Sequence, residues 1–178
     1  PPAAASGSPE RWLQERILER PELLLADRFG SQYRGLASVC CELPLPDAGY
    51  ADWIGLTPRG DIVLTEVKLG RNAEARREVV AQAFEYFVAL RRLGCADLER
   101  LARGASPTRL TRTEGLYEIA GAAEEGLDPD EFVARIERNL RTGRILLIVA
   151  VDRAPASLEK MLAAELTDQP GLPFHCGL

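Results

Sequence analysis

Positions 60–69 read GDIVLTEVKL, and this stretch has the composition of a buried β-strand that carries two charges. Side chains alternate between the two faces of a strand, so Glu66 and Lys68 lie on the same face as the aliphatic residues at 62 and 64. An unpaired charge in an apolar environment is costly, so these charges predict a partner, a metal ion or a function. Lys68 is unusual for a second reason, since it and Lys160 are the only lysines among 22 basic residues.

Length and composition are typical of one globular domain. The chain has 178 residues, of which 46% are hydrophobic and 28% charged, the balance of a soluble protein rather than a disordered one. We interpret residues 1–7 as a proline-rich N-terminal tail and residues 8–178 as a single domain. The sequence has neither a secretion signal nor an apolar run near the ~18 residues of a membrane span, so we expect no membrane association and a cytoplasmic location.

The cysteines and the histidine argue against zinc and disulfide chemistry. The four cysteines have no C-x-x-C spacing, and the chain has a single histidine, His175. Structural zinc sites and disulfide frameworks need cysteines at characteristic spacings. A reduced, cytosolic setting therefore fits this chain.

The charge distribution leaves the type of partner open. A net charge of −5 speaks mildly against nucleic acid. Between positions 71 and 112, however, the chain has nine arginines and five acidic residues. Such a run is equally compatible with a basic surface for nucleic acid and with ordinary solvated helix faces.

Hydrophobic periodicity and turn residues predict a chain that contains both strands and helices. The nearly continuous apolar run at 144–151 is typical of a central strand that is covered on both faces. In chain order we predict a helix between Pro9 and Pro21, strands at 39–43, 49–56 and 60–69, a helix at 73–93, smaller helices at 97–103, 114–124 and 129–140, a strand at 144–151, a helix at 156–166 and a strand at 172–177.

The predicted geometry singles out four residues around the central strand: Asp52, Gln82, Tyr86 and Glu10. The turn at 57–60 is short, so strands 49–56 and 60–69 form an antiparallel hairpin and Asp52 should lie near Glu66. On the following helix, Gln82 and Tyr86 are four residues apart and share a face. Glu10 lies near the edge of the apolar face of the first helix, although for this residue taken alone we favour the simpler interpretation of a favourable charge in a first helical turn.

These residues predict a site for a hard divalent cation. Asp52 and Glu66 offer oxygen ligands, and Mg²⁺ characteristically takes one or two carboxylates and keeps its waters. With Lys68 beside the ion, such a site could activate water and stabilise charge on a phosphodiester. The alternative is structural, with Glu66 and Lys68 as an ion pair and Asp52 capping a turn. Glu42 is compatible with a further acid facing the site or with a simple edge charge, and we favour the edge charge.

Three motifs follow one another in this part of the chain: Gly-Tyr-Ala-Asp at 49–52, Glu-Val-Lys at 66–68 and Gln-Ala-Phe-Glu-Tyr at 82–86. In their order and spacing they resemble the motifs of the PD-(D/E)XK nucleases, in particular the RecB-like branch and the nuclease domains related to mismatch endonucleases. The acid at Glu10 resembles the one that this family often adds from its first helix. The resemblance covers residues 10–90 and extends more loosely to the strand near Ile145.

The resemblance implies an α/β fold with a restriction-endonuclease-like core, in which a mixed β-sheet is flanked by helices. It also implies a nuclease that depends on Mg²⁺ or Mn²⁺. The expected partner is nucleic acid, in the first place DNA, in repair, recombination or defence. The implied roles are metal binding by Asp52, Glu66 and Glu10, catalysis by Asp52, Glu66 and Lys68, and contact with the substrate by Gln82 and Tyr86.

The sequence also permits other interpretations. The region from about 104 to 140 departs from the family pattern, and we interpret it as a helical insertion. A nuclease fold without catalysis, kept as a module that binds nucleic acid or a partner protein, is the alternative function, and an unrelated activity is the third. A homodimer and further domains of a longer chain are both compatible with the sequence.

Overall fold

The computed structural model describes the backbone of residues 8–68, 73–151 and 174–175, and the side chains of 8–68 and 80–150. It contains a five-stranded mixed sheet with the strand order β1-β2-β3-β4-β5, packed against α-helices, which confirms the α/β class. The strands are β1 (Ala37–Leu45), β2 (Gly49–Leu56), β3 (Ile62–Lys68), β4 (Ile145–Val151) and β5 (Phe174–His175). The α-helices are α1 (Pro9–Glu19), α2 (Ala73–Leu90), α3 (Cys95–Gly104), α4 (Leu116–Ile119) and α5 (Pro129–Thr142), and 3₁₀-helices lie at Pro21–Leu24, Ala26–Phe29 and Ser31–Tyr33.

The predicted hairpin at the centre of the sheet is confirmed. Strands β2 and β3 pair in antiparallel register through the turn at 57–60. Gly60 has φ +80°, and a β-carbon there would lie 3.3 Å from the β-carbon of Arg135, so the turn needs glycine. The backbone oxygen of Gly60 accepts a hydrogen bond of 2.9 Å from the Asn139 side chain, which joins the turn to α5.

Strand β4 is central, as its apolar sequence predicts. It pairs in parallel with β3 on one side and with β5 on the other. Parallel neighbours need a long crossover, which residues 73–142 provide between β3 and β4. The alternation of β3 separates two apolar clusters, since Ile62 and Leu64 pack with α2 and α5 while Val63 and Val67 pack with α1.

Strand β1 is longer than the sequence predicts. The predicted strand ends at position 43 because proline follows it, but in the structure Pro44 lies inside the strand, opposite Tyr50. Proline is tolerated in an outer strand because one edge of such a strand makes no continuous ladder. Residues 107–109 touch that edge: the Cys41 N–H donates to the Pro107 oxygen at 2.9 Å, and the Arg109 N–H donates to the Val39 oxygen at 2.8 Å.

The region 104–140 is less helical and more central than the predicted insertion. Its first part forms only the single turn α4, because the chain adopts left-handed conformations at Gly121 and Gly126, with φ +69° and +74°. Its second part is α5, which begins at Pro129 as predicted and is capped by the Asp128 side chain, which accepts a hydrogen bond from the Glu131 N–H. The side chains of Phe132 and Ile136 are buried in the main apolar cluster, so α5 is part of the core.

The remaining predictions fall partly outside the described residues. The tail at 1–7 and the helix at 156–166 lie there entirely, and the strand at 172–177 is described only at 174–175, which form β5. The first helix begins as predicted, with the Ser8 side chain accepting a hydrogen bond from the Arg11 N–H. Among the described residues, no helix has the length and apolar character required to cross a membrane.

Candidate active site

The central hairpin opens at one end of the sheet. The ladder between β2 and β3 stops at the pair Trp53–Thr65, although both strands continue beyond it. From there β2 stays paired with β1 as far as Gly49, and β3 stays paired with β4 as far as Lys68. We call this opening the sheet fork, with residues 49–52 on one arm and 66–68 on the other. Two of the three sequence motifs therefore face each other across a gap in the sheet.

Asp52 lies at the base of the fork and spans it. Its Oδ2 accepts a hydrogen bond of 2.7 Å from the Val67 N–H, in the place of a bond between strands. This contact confirms the predicted proximity of Asp52 to the Glu66 segment. Burial raises the pKa of Asp52 to about 6, with the charges of Glu42 and Glu10 adding to the rise, while the Val67 N–H and Lys68 act in the opposite direction.

Glu66 is the most unusual group in the fork. Its side chain is 4% exposed, and its Oε2 has no hydrogen-bond partner among the described residues. Burial raises the pKa of Glu66 to about 8, and the Asp52 charge adds to the rise more than Lys68 reduces it. A buried carboxylate oxygen without a partner costs free energy, so it marks a place where a cation or a proton is needed.

Lys68 points to the open side of the fork and pairs with Glu10 instead of Glu66. The Lys68 Nζ lies 3.5 Å from the Glu10 Oε1, and 40% of the lysine side chain is exposed. Glu10 precedes the buried residues Gln14 and Ile17 of α1 by four and seven positions, so it lies on the same helix face as they do. The structure thus places Glu10 at the site, as the resemblance implies, but as the partner of the lysine.

Tyr86 is the residue of the third motif, at 82–86, that lies beside the fork. Its ring is buried, at 2% exposure, and its hydroxyl accepts a hydrogen bond from the Gln82 Nε2, so the two residues share a helix face as predicted. A β-carbon on Gly49 would lie 4.0 Å from that hydroxyl, which places it beside the start of β2. Burial raises the pKa of Tyr86 to about 12, and the charge of Glu66 adds to the rise. Gln82 itself is exposed to solvent.

Glu42 belongs to this site, contrary to the favoured interpretation as an edge charge. The β1–β2 register pairs Cys41 with Trp53 and Leu43 with Ala51, so Glu42 lies opposite Asp52. Its negative charge contributes to the raised pKa values of Asp52 and Glu66. A sequence signal existed, because continuing β1 through Pro44 and pairing it with β2 across the short connection at 46–48 leads to this register.

The carboxylate oxygens of the fork are ligands of the kind that a hard cation prefers, although they are not arranged around one common position. Among residues 8–68 and 80–150, no three His, Cys, Asp or Glu side chains are arranged to hold a metal ion together. The unpartnered Oε2 of Glu66 beside Asp52 nevertheless fits Mg²⁺ or Mn²⁺, which prefer oxygen ligands. Mg²⁺ needs only one or two carboxylates because it keeps several waters.

Comparison of this chain with known proteins gives no match. The chain matches no protein-family model. It also matches no curated protein and no solved structure. The geometry and chemistry of the sheet fork are therefore the basis for a functional proposal.

Proposed function

We propose that this chain is a metal-dependent nuclease that hydrolyses phosphodiester bonds of nucleic acid, with DNA as the expected substrate, on a restriction-endonuclease-like core. The observation that carries the proposal is the buried, unpartnered Oε2 of Glu66 next to Asp52. Mutual repulsion and burial both oppose the ionised forms of these carboxyl groups, and a divalent cation would relieve both costs. Asp52 and Glu66 would hold the ion.

The other groups of the fork have complementary tasks in this reaction. A bound Mg²⁺ or Mn²⁺ supplies a Lewis acid for a phosphodiester oxygen and lowers the pKa of a water. Lys68, on the exposed side of the fork, can donate hydrogen bonds to a phosphate oxygen and stabilise the charge that grows there. Glu10 holds the lysine ammonium in the fork when no substrate is present.

Tyr86 and Gln82 would position the substrate or the site. The Tyr86 hydroxyl oxygen accepts a hydrogen bond from Gln82, so its own O–H remains available to donate towards the fork. Gln82 is exposed and can contact nucleic acid directly. A hydroxyl that is held by a neighbour in this way has a defined orientation, which favours a fixed geometry for the reacting groups.

The test is a cleavage assay with labelled single- and double-stranded DNA and RNA, with Mg²⁺, with Mn²⁺ and with a chelator. We expect cleavage that requires the metal and is lost in Glu66→Gln. Glu131→Gln is the matched control, because Glu131 is an exposed glutamate of α5 that pairs with Arg135 away from the fork. Cleavage that survives chelation, or that persists in Glu66→Gln, would contradict the proposal.

A second candidate is a nuclease fold that binds nucleic acid or a partner without cleaving. The Glu10–Lys68 pair at 3.5 Å favours it, because this contact gives the lysine a structural role. Under this alternative no substrate of the panel is cleaved with either metal, and Glu10→Gln changes binding and stability only. Under the nuclease proposal Glu10→Gln leaves the lysine less well positioned and slows cleavage.

A further inference from the structure

Glu42 combines three properties that no structural role in β1 requires. It lies opposite Asp52 in the β1–β2 register, and it is half-buried. Its backbone is left-handed, with φ +49°, in the middle of a β-strand. A residue other than glycine in this conformation costs free energy, and glycine would adopt it without that cost. The chain nevertheless has a carboxylate there, beside two other carboxylates.

Repulsion between the Glu42 carboxylate and the neighbouring carboxylates is a second cost, in addition to that of the backbone conformation. Glu42 lies opposite Asp52 across the β1–β2 pair, and like charges that lie directly opposite each other on neighbouring strands repel. A negative charge at position 42 therefore disfavours the empty site. The same charge favours a site that contains a cation.

An independent observation points to a ligand at this place. Only 4% of Glu66 is exposed, and its Oε2 has no hydrogen-bond partner within the described part of the chain. Three carboxylates thus come from three adjacent strands, and one of them has an unsatisfied buried oxygen. Among the described residues the three are not arranged to bind one ion directly, so a contribution of Glu42 to a cation site would go through a bound water.

We propose that Glu42 is a positioning residue of the cation site, which accepts hydrogen bonds from water bound to the ion, and that β1 thereby contributes a third carboxylate to the fork. The inference rests on the proposed metal-dependent function. Waters on Mg²⁺ donate strongly, so carboxylates beyond the direct ligands orient them and raise the affinity of the site. This role accounts for both the strained backbone and the repulsion, which the metal-bound state offsets.

The test compares Mn²⁺ binding by the full, metal-free chain, followed by the electron-spin-resonance signal of free Mn²⁺. We expect Glu42→Gly to bind Mn²⁺ about 10- to 100-fold more weakly than the unchanged protein. Its unfolding midpoint without metal should be equal or higher, because glycine removes the backbone strain and the repulsion. Glu42→Gln, which keeps the side-chain volume, should also bind more weakly and replaces the glycine variant if that protein does not fold.

The matched control is Asp47→Gly. Asp47 is also an acid with a left-handed backbone, at φ +61°, and it lies exposed in the connection between β1 and β2. It should bind Mn²⁺ like the unchanged protein. If Glu42→Gly and Glu42→Gln bind Mn²⁺ normally while Glu66→Gln does not, this inference is wrong and the proposed nuclease stands. If the unchanged protein binds no Mn²⁺, both are wrong.

Discussion

Burial of Glu66 should make the stability of the metal-free protein fall as the pH rises. The pKa of this carboxyl is raised from its ordinary value of 4.5 to about 8. Between these two values the folded protein retains a proton that the unfolded chain has released, so the free energy of unfolding decreases with pH across this window. Below it the group is protonated in both states and contributes nothing. Above it the full cost of the buried charge is present.

The size of the effect follows from the shift. At 1.36 kcal/mol per pKa unit, the full rise corresponds to a loss of about 5 kcal/mol by the alkaline end of the window. Local relaxation and entry of water reduce such costs, so we expect about 2–3 kcal/mol in a measurement. Glu66→Gln keeps the shape of the side chain and removes the titration. The variant should match the unchanged protein at about pH 4.5 and be more stable by that amount at about pH 9.

The assay is urea unfolding in the presence of chelator across this pH range. Asp52, whose pKa is raised to about 6, titrates in both proteins, so its contribution largely cancels in the difference between them. Glu131→Gln, at an exposed position, should show no such dependence on pH. A difference between Glu66→Gln and the unchanged protein that stays constant with pH would refute the buried-carboxylate argument.

Three further predictions concern the fork. Under the proposed mechanism Lys68→Ala should abolish cleavage while nucleic-acid binding persists, because the lysine would act on the transition state. Lys160→Ala is the control and should have no effect, and cleavage at the normal rate by Lys68→Ala refutes the assignment. Tyr86→Phe and Gln82→Ala should each slow cleavage ~10-fold, about 1.4 kcal/mol, with little change in the unfolding midpoint, and normal rates in both would make the third motif simple packing. Asp52→Ala should lower the free energy of unfolding by about 1–3 kcal/mol at low pH by removing the acceptor of the Val67 N–H, and an unchanged value in chemical denaturation would contradict that contact.

Local patterns were sufficient for the central hairpin. The alternation of apolar residues and the short turn at 57–60 predicted both strands and the approach of Asp52 to Glu66, because hairpin register depends on turn length and side-chain alternation, which are local. The same holds for β4, whose apolar run predicted its central place. The predicted end of β1 at Pro44 was wrong, since proline breaks a ladder only where its N–H would have been paired, and the pairing of an outer strand depends on the tertiary structure.

Side-chain alternation in the sequence predicts which residues share a strand face, and therefore that Glu66 and Lys68 lie on the same side of β3 as Ile62 and Leu64. The spacing of four between Gln82 and Tyr86 likewise predicts that they lie on one helix face. These are consequences of backbone periodicity. They need no knowledge of what lies nearby.

The surroundings of those residues depend on tertiary packing, which local patterns do not predict. The end of the β2–β3 ladder at Trp53–Thr65 opens the fork, the approach of α1 pairs Lys68 with Glu10, and the β1 register brings Glu42 to Asp52. Each of these contacts joins segments that are distant in sequence or belong to different elements. Their energies depend on burial and on neighbouring charge, and both arise when the sheet and the helices pack together.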